Sequence, residues 1–242
     1  MSFMARMAGA QSRAARRRAT SGDPLRAQVV LHLPGGDLTD VSTYGRTLTA
    51  NGDTHAGDST TNFTGATSLA FDGSGDYLST DGSDFDLGTT PFNIRVWVRP
   101  TATTNNFGGI VASGQGGWTA GCVNLLQFGT GWGVDGSQQG RLAFAGNMSG
   151  LAIMSAPVTV GNWYFVEVDR DESGDVKMWV NGTFCGSSAY HGPIHLGYNG
   201  FLIGRNGWDG SNGFFQGNIQ DLLITKGHRT TGSVPTELFP TT

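Results

Sequence analysis

The sequence predicts an all-β fold, and three observations predict it. Thirty-nine glycines in 242 residues, without a collagen-like period and with only 14% charged residues, mark many tight turns between short strands. The segments NIRVWVR (93–99) and WYFVEVDR (163–170) alternate in the way of strands that bury one face strongly. Asn181-Gly182, just beyond VKMWV, is a strong hairpin signal because both residues tolerate positive φ.

Taken in chain order, the first element is a basic arm. Residues 1–26 hold six arginines against one acid, a net +5, whereas the remaining residues hold nine cations and eighteen acids, a net −9. Phe3, Met4, Met7 and Ala8 recur at helical spacing among good helix formers, so a short amphipathic helix ending before SGDP is expected. The arm's Arg- and Ser-rich composition also matches a transit peptide. The expectation adopted is a retained anchor, with residues 27–242 forming one β-sandwich domain. In that domain Ile94, Val96 and Val98 oppose Arg95, Trp97 and Arg99. Tyr164, Val166 and Val168 oppose Phe165, Glu167 and Asp169. The turn cluster DESGD, the strand VKMWV and the Asn-Gly turn then complete a three-stranded meander. No repeat and no linker divides the body. No apolar run approaches the roughly 18 residues that cross a bilayer, so a soluble chain is expected.

Five segments in order, SLAFDGSGDYLS, FNIRVWVRP, GNWYFVEVDRDESGDVKMWVNG, FLIGRNGWDGSNGFFQGNIQDLLITKG and PTELFPTT, resemble the laminin-G-like branch of the concanavalin A-like lectin/glucanase superfamily. The resemblance covers roughly residues 28–240. It implies a jelly-roll sandwich of two antiparallel sheets. The wording is similar to modules of bacteriophage structural proteins, including head decorations and tail fibres.

Glu167, Asp169 and Glu172 match the Glu-x-Asp-x-x-Glu strand motif of retaining glucanases on this fold. A retaining pair must stand about 5 Å apart across the sugar. Because Asp171 and Glu172 already belong to the turn, a solvated hairpin face is expected instead of catalysis, with Glu167 and Asp169 replaceable at little cost in stability. No nucleophile elbow, phosphate loop or paired metal helix is present.

Relatives that bind calcium place acids near the first strand and in the last long one. Pro34-Gly35 and Gln220 stand in those places here. Asp37, Asp40 and Asp221 are the nearest substitutes, and no resident metal or other cofactor is expected. His191 and His195 flank a Gly-Pro loop, unlike a helical metal pair, and Cys122 and Cys185 are read as buried thiols.

Trp97, Trp163 and Trp179 fall in strands and Trp118 at a strand start, where packing is their expected use. Trp132 and Trp208 stand in glycine-rich loops. The candidate glycan contacts are therefore Trp132, Asn206, Trp208, Asp209 and Asn212.

The functional expectation is a non-enzymatic virion component of a tailed phage. It is a displayed sandwich joined to capsid or tail proteins through Phe3, Met4, Met7, Arg13, Arg16, Arg17 and Arg18, within a homo-oligomer or larger assembly. The alternatives are a carbohydrate- or receptor-binding tail protein and, last, a glycoside hydrolase using Glu167 and Asp169. Arginine clusters also suit nucleic acid. The apolar stripe of Phe3, Met4 and Met7 favours a groove on a protein.

Overall fold

A computed structural model describes residues 23–103, 107–114, 120–127, 129, 137–146, 151–207, 213–229 and 232–241. The expected basic arm, apart from its last four residues, lies outside them.

The strands are β1 (Val29–Leu33), β2 (Thr49–Asn51), β3 (His55–Asp58), β4 (Ser68–Asp72), β5 (Tyr77–Thr80), β6 (Asp86–Gly88), β7 (Phe92–Pro100) and β8 (Gly108–Ser113). They continue with β9 (Val123–Gln127), β10 (Arg141–Gly146), β11 (Ala152–Pro157), β12 (Tyr164–Arg170), β13 (Val176–Val180) and β14 (Thr183–Ser188). The last are β15 (Ile194–His195), β16 (Phe201–Ile203) and β17 (Gln216–Thr225). One sheet, here sheet A, runs β14-β13-β12-β7-β17-β4-β3, with β1 also on β17. Sheet B runs β11-β10-β9-β8-β16-β5-β2, and β15 pairs with β6 apart from both. All the strand pairings are antiparallel, as in a jelly-roll sandwich.

Alternation decides which side chains meet between the sheets. Ile94, Val96 and Val98 of β7 and Val166 and Val168 of β12 are fully buried against Val111, Leu125, Phe144 and Phe201 from sheet B. Each such side chain contributes about 1.5–3 kcal/mol relative to leaving it in water. Phe85 stacks on Phe201 with centroids 4.2 Å apart and closes one end of this core. The meander is present as expected. Asn181 (φ 49°) and Gly182 (φ 74°) form its second turn, and Asn181 Oδ1 accepts the Phe165 N–H at 2.8 Å.

The outer face of sheet A departs from the expectation. Glu167 and Asp169 point away from the sandwich core, as their alternation requires, yet Glu167 is 1% exposed and Asp169 0%. The reading of a solvated hairpin face is therefore corrected. The chain after β17 returns across this face as a strap, residues 226–229 and 232–241, and seals both carboxylates. Phe239 of the strap joins Val29, Trp97, Phe165 and Leu223 in a second apolar cluster.

Residues 23–26 also belong to the body. Asp23 accepts two bonds from Arg229, at 3.0 and 2.7 Å, and Arg26 donates to the Val41 carbonyl. The last four residues of the expected arm are thus bonded to the sandwich.

Candidate functional site

The segment that carries Trp208 is laid against sheet B by glycines. Beyond β16, Gly204 N–H donates to Ile110 O at 3.0 Å, and the chain folds over the outer face of β8. A Cβ on Gly109 would stand 2.1 Å from Asn206 N, one on Gly207 would stand 2.0 Å from Ser113 O, and one on Gly213 2.3 Å from the Asn206 amide. Only glycine permits these approaches, of backbone to backbone at Gly109 and Gly207 and of backbone to the Asn206 side chain at Gly213. Asn206 N–H and Gly109 N–H both donate to Gly213 O, at 2.8 and 3.0 Å, so the two ends of the segment are pinned side by side. Gly207 N–H donates to Asn124 Oδ1 at 3.2 Å.

Asn124 belongs to a transverse row on that outer face. Ala112 of β8 lies opposite Asn124 of β9, Asn124 opposite Ala145 of β10, and Ala145 opposite Ala152 of β11. Burial falls along the row. Ala112 and Asn124 are covered, Ala145 is half-buried and Ala152 is exposed. Four small side chains in register make a shallow trough that opens outward from beneath Gly207. Asn124 Nδ2, buried beneath it, has no acceptor among the described residues. Phe107 and Met154 pack on Ala143 and form one flank.

Of the residues expected to contact glycan, Trp132, Trp208, Asp209 and Asn212 lie outside the described residues. Asn206 is described, and its role is corrected. It is 1% exposed and its Nδ2 donates to Phe107 O at 2.8 Å, so it anchors the segment from inside. Sequence reasoning missed Asn124, whose importance rests on pairing across three strands. The close spacing of Gly204, Gly207 and Gly213 was the available signal for a segment lying flat.

The glucanase-like acids have other work. Glu167 Oε1 accepts from Arg95 Nε at 2.7 Å, and its Oε2 accepts the Gly232 N–H at 2.9 Å. Asp169 accepts Asn93 Nδ2 at 3.1 Å, lies 2.7 Å from His228 Nδ1, and accepts the Arg229 N–H. Burial pushes the Asp169 carboxyl up, against the lowering effect of His228 and Asn93. Glu172 lies beyond β12 in the turn. Removing either buried acceptor would strand Arg95 or the strap N–H groups, so the expectation that Glu167 and Asp169 are replaceable at little cost also fails.

The substitute calcium ligands do not converge. Asp40 accepts the His32, Ser42 and Arg46 N–H groups and the Ser42 hydroxyl. Asp221 Oδ1 lies 3.3 Å from His32 Nε2 while its Oδ2 accepts the Phe239 N–H, and Asp37 caps its own turn at Thr39. The Gln220 amide bridges the 61–67 segment. Its Nε2 donates to Thr67 O at 2.7 Å and its Oε1 accepts the Asn62 N–H at 3.1 Å.

A different trio, Asp53, Asp72 and Asp76, brings one carboxylate oxygen each within 4.8 Å of the others, a grouping a hard cation accepts. Burial pushes the Asp76 carboxyl up, although it accepts the Asp72 and Asp53 N–H groups. The trio escaped sequence reasoning because the pairing of β2 with β5 assembles it. His191 and His195 pair with separate acids, Asp175 and Asp86. Burial pushes up the thiols of the free cysteines Cys122 and Cys185, so neither is an activated nucleophile.

This arrangement defines a lectin-like sandwich. A family model of the concanavalin A-like lectin/glucanases superfamily, of the laminin G type, matches residues 72–234, and the chain belongs to that superfamily. No curated protein sequence matches the chain. Among solved structures it is similar to domain 4 of AbnA, a GH43 extracellular arabinanase from Geobacillus stearothermophilus, in complex with arabinotriose. That match has a TM-score of 0.58 and 20% identity, over 84% of this chain and 95% of that one. It is also similar to the botulinum neurotoxin serotype D ligand binding domain in complex with N-acetylneuraminic acid, with a TM-score of 0.60 and 13% identity over 85% of this chain. A structure of botulinum neurotoxin type C, whose cell entry is dependent upon interaction with two ganglioside molecules, gives a TM-score of 0.59 and 14% identity over 85% of this chain. The chain spans about half the length of these neurotoxin domains, 49% in each case. At such identities the likeness is one of fold.

Proposed function

We propose that this chain is a non-enzymatic, glycan-recognising module displayed on a phage particle and joined to other virion proteins through residues 1–22. The observation that carries the recognition half is the trough on sheet B. A row of small side chains leaves room for a sugar against the sheet, and it starts beneath Gly207, the residue before Trp208. An aromatic ring beside a shallow floor of small side chains with one buried amide suits a saccharide, whose C–H face stacks while a hydroxyl finds a hydrogen bond. Glycan complexes among proteins of the same fold support this reading. The non-enzymatic half is supported by the acids, because Glu167 and Asp169 are sealed and bonded while Glu172 stands apart.

The particle half is supported by the resemblance of the sequence to phage structural modules and by the basic arm ahead of an acidic body. A head or tail display protein and a receptor-binding tail protein are two placements of the same module.

A glycan array probed with the full chain tests the recognition half. Binding to at least one glycan class is expected, with a loss of about tenfold or more in Trp208→Ala or Ala145→Trp, the second of which fills the trough. Absence of binding to every glycan, or binding indifferent to both substitutions, would overturn it.

A further inference from the structure

Of the five histidines only His32 is buried, and each part of it is engaged by a different stretch of the chain. Its N–H donates to Asp40 Oδ1 at 3.0 Å and its carbonyl accepts the Val41 N–H at 2.9 Å. Its ring lies between an acid and a base. Nε2 is 3.3 Å from Asp221 Oδ1, and Nδ1 is 3.3 Å from Arg26 Nη1. A carboxylate only accepts and a guanidinium only donates, so these contacts require a neutral ring with its hydrogen on Nε2 and a lone pair on Nδ1.

The two partners differ in freedom. Asp221 is wholly buried, where β17 slips its register against β7, and its φ of 55° is one that non-glycine residues seldom adopt. Such a backbone persists only where its surroundings fix it, and here Asp221 N–H donates to Gly35 O while Oδ2 accepts the Phe239 N–H at 2.7 Å. Arg26, by contrast, is half-buried on the short helix Arg26–Gln28 ahead of β1, with Val41 O as its other acceptor. It can turn to solvent.

A second proton on this pair has one place to stand. Between Nε2 and Oδ1 there is room for a single hydrogen, and Oδ2 is taken by Phe239, so the added hydrogen lies on Nδ1 and faces the Arg26 guanidinium. Two donors and two positive charges then oppose each other, while the imidazolium gains an ion pair with Asp221. Among the described residues the other charged groups nearby do not relieve the conflict. Asp40 is turned to the N–H groups of His32, Ser42 and Arg46, Arg46 pairs with Asp84, and Arg95, paired with Glu167, is separated from the ring by Phe239.

We propose that His32 is a proton-operated latch on the N-terminal root of the sandwich. Neutral, it holds Arg26 and the short helix against β1 and β17. Doubly protonated, it expels Arg26 to solvent and keeps Asp221 and Phe239 in place. The chain ahead of β1 is then left to the Asp23–Arg229 clasp and to the Lys226 N–H on Gln28 O. Burial raises the Asp23 carboxyl, but the bonds from Arg229 and Leu25 outweigh it and hold that acid below its ordinary value, so the clasp keeps its charge in mild acid. The latch is independent of what sheet B binds.

Nuclear magnetic resonance on the full chain tests it. At pH 7.5 the His32 ring should carry hydrogen on Nε2 alone in long-range proton–nitrogen spectra; hydrogen on Nδ1 would overturn the proposal. Between pH 7.5 and 5.0, protection of the Gln28 and Lys226 amides against exchange, corrected for intrinsic rates, should fall tenfold or more, while that of Val96 and Val168 holds. An unchanged ratio would overturn it. Arg26→Gln supplies an amide oxygen that can accept from Nδ1 at a half-buried position, and should abolish the fall. The same fall in that variant would assign the effect to other titrating groups and remove the latch.

Discussion

Asp171 shows how one residue registers its surroundings. The Lys177 ammonium and the Ser173 hydroxyl beside it hold its carboxyl down at about 2, against an ordinary 3.8. A carboxyl lowered on folding contributes stability above its unfolded value, and loses that contribution as pH falls through the folded one. Asp171→Asn should therefore be less stable than the native chain at pH 7 and should converge with it near pH 2, in urea melts across that range. Asp169 and Asp221 carry the opposite sign, because burial raises both. They bind protons more readily in the folded chain, so their ionisation weighs against the fold as pH rises through their raised values. Their contribution is fully present only below the unfolded value.

Among the elements, the strands were the legible part. Their alternation gave the inward faces of β7 and β12, and Asn181-Gly182 gave the turn. Local pattern could not say what covers an outward face. Glu167 and Asp169 read as solvated because the residues bonded over them, His228, Arg229 and Gly232, are some sixty positions away in sequence. The trough is equally non-local, since Ala112, Asn124, Ala145 and Ala152 become neighbours only through register. Asn206 was expected to contact glycan, but its inward direction depends on Phe107 and Gly213, which local pattern does not bring to it. The glycine contacts make this element testable. Gly109→Ala forces a methyl group into the backbone of residues 205–206, and overpacking of this kind costs about 1–3 kcal/mol. A lower thermal midpoint, with faster exchange of the Asn206 and Gly207 amides, is the expected result.

At the scale of the whole molecule, the division between arm and body is the point at which the proposed role can be cut. Deleting residues 1–22 should leave the thermal midpoint unchanged and abolish incorporation into particles, scored by imaging particles labelled through this chain. Deleting residues 1–26 should additionally lower the midpoint, because Asp23 and Arg26 are lost from Arg229, Val41 and His32. Normal incorporation of the shorter deletion would place the anchor in the sandwich.

The clasp between Asp23 and Arg229 also sets a path for mechanical force. Tension entering at residue 23 meets this two-bond ion pair before it reaches β1, which begins six residues later and is paired along β17. Beyond the clasp, the load runs along β1 and β17, where several backbone bonds lie across the pull and share it in shear. Arg229 sits beside His228 at the root of the strap, so the first movement under load is a tug on the cover of sheet A, while the sandwich itself stays closed.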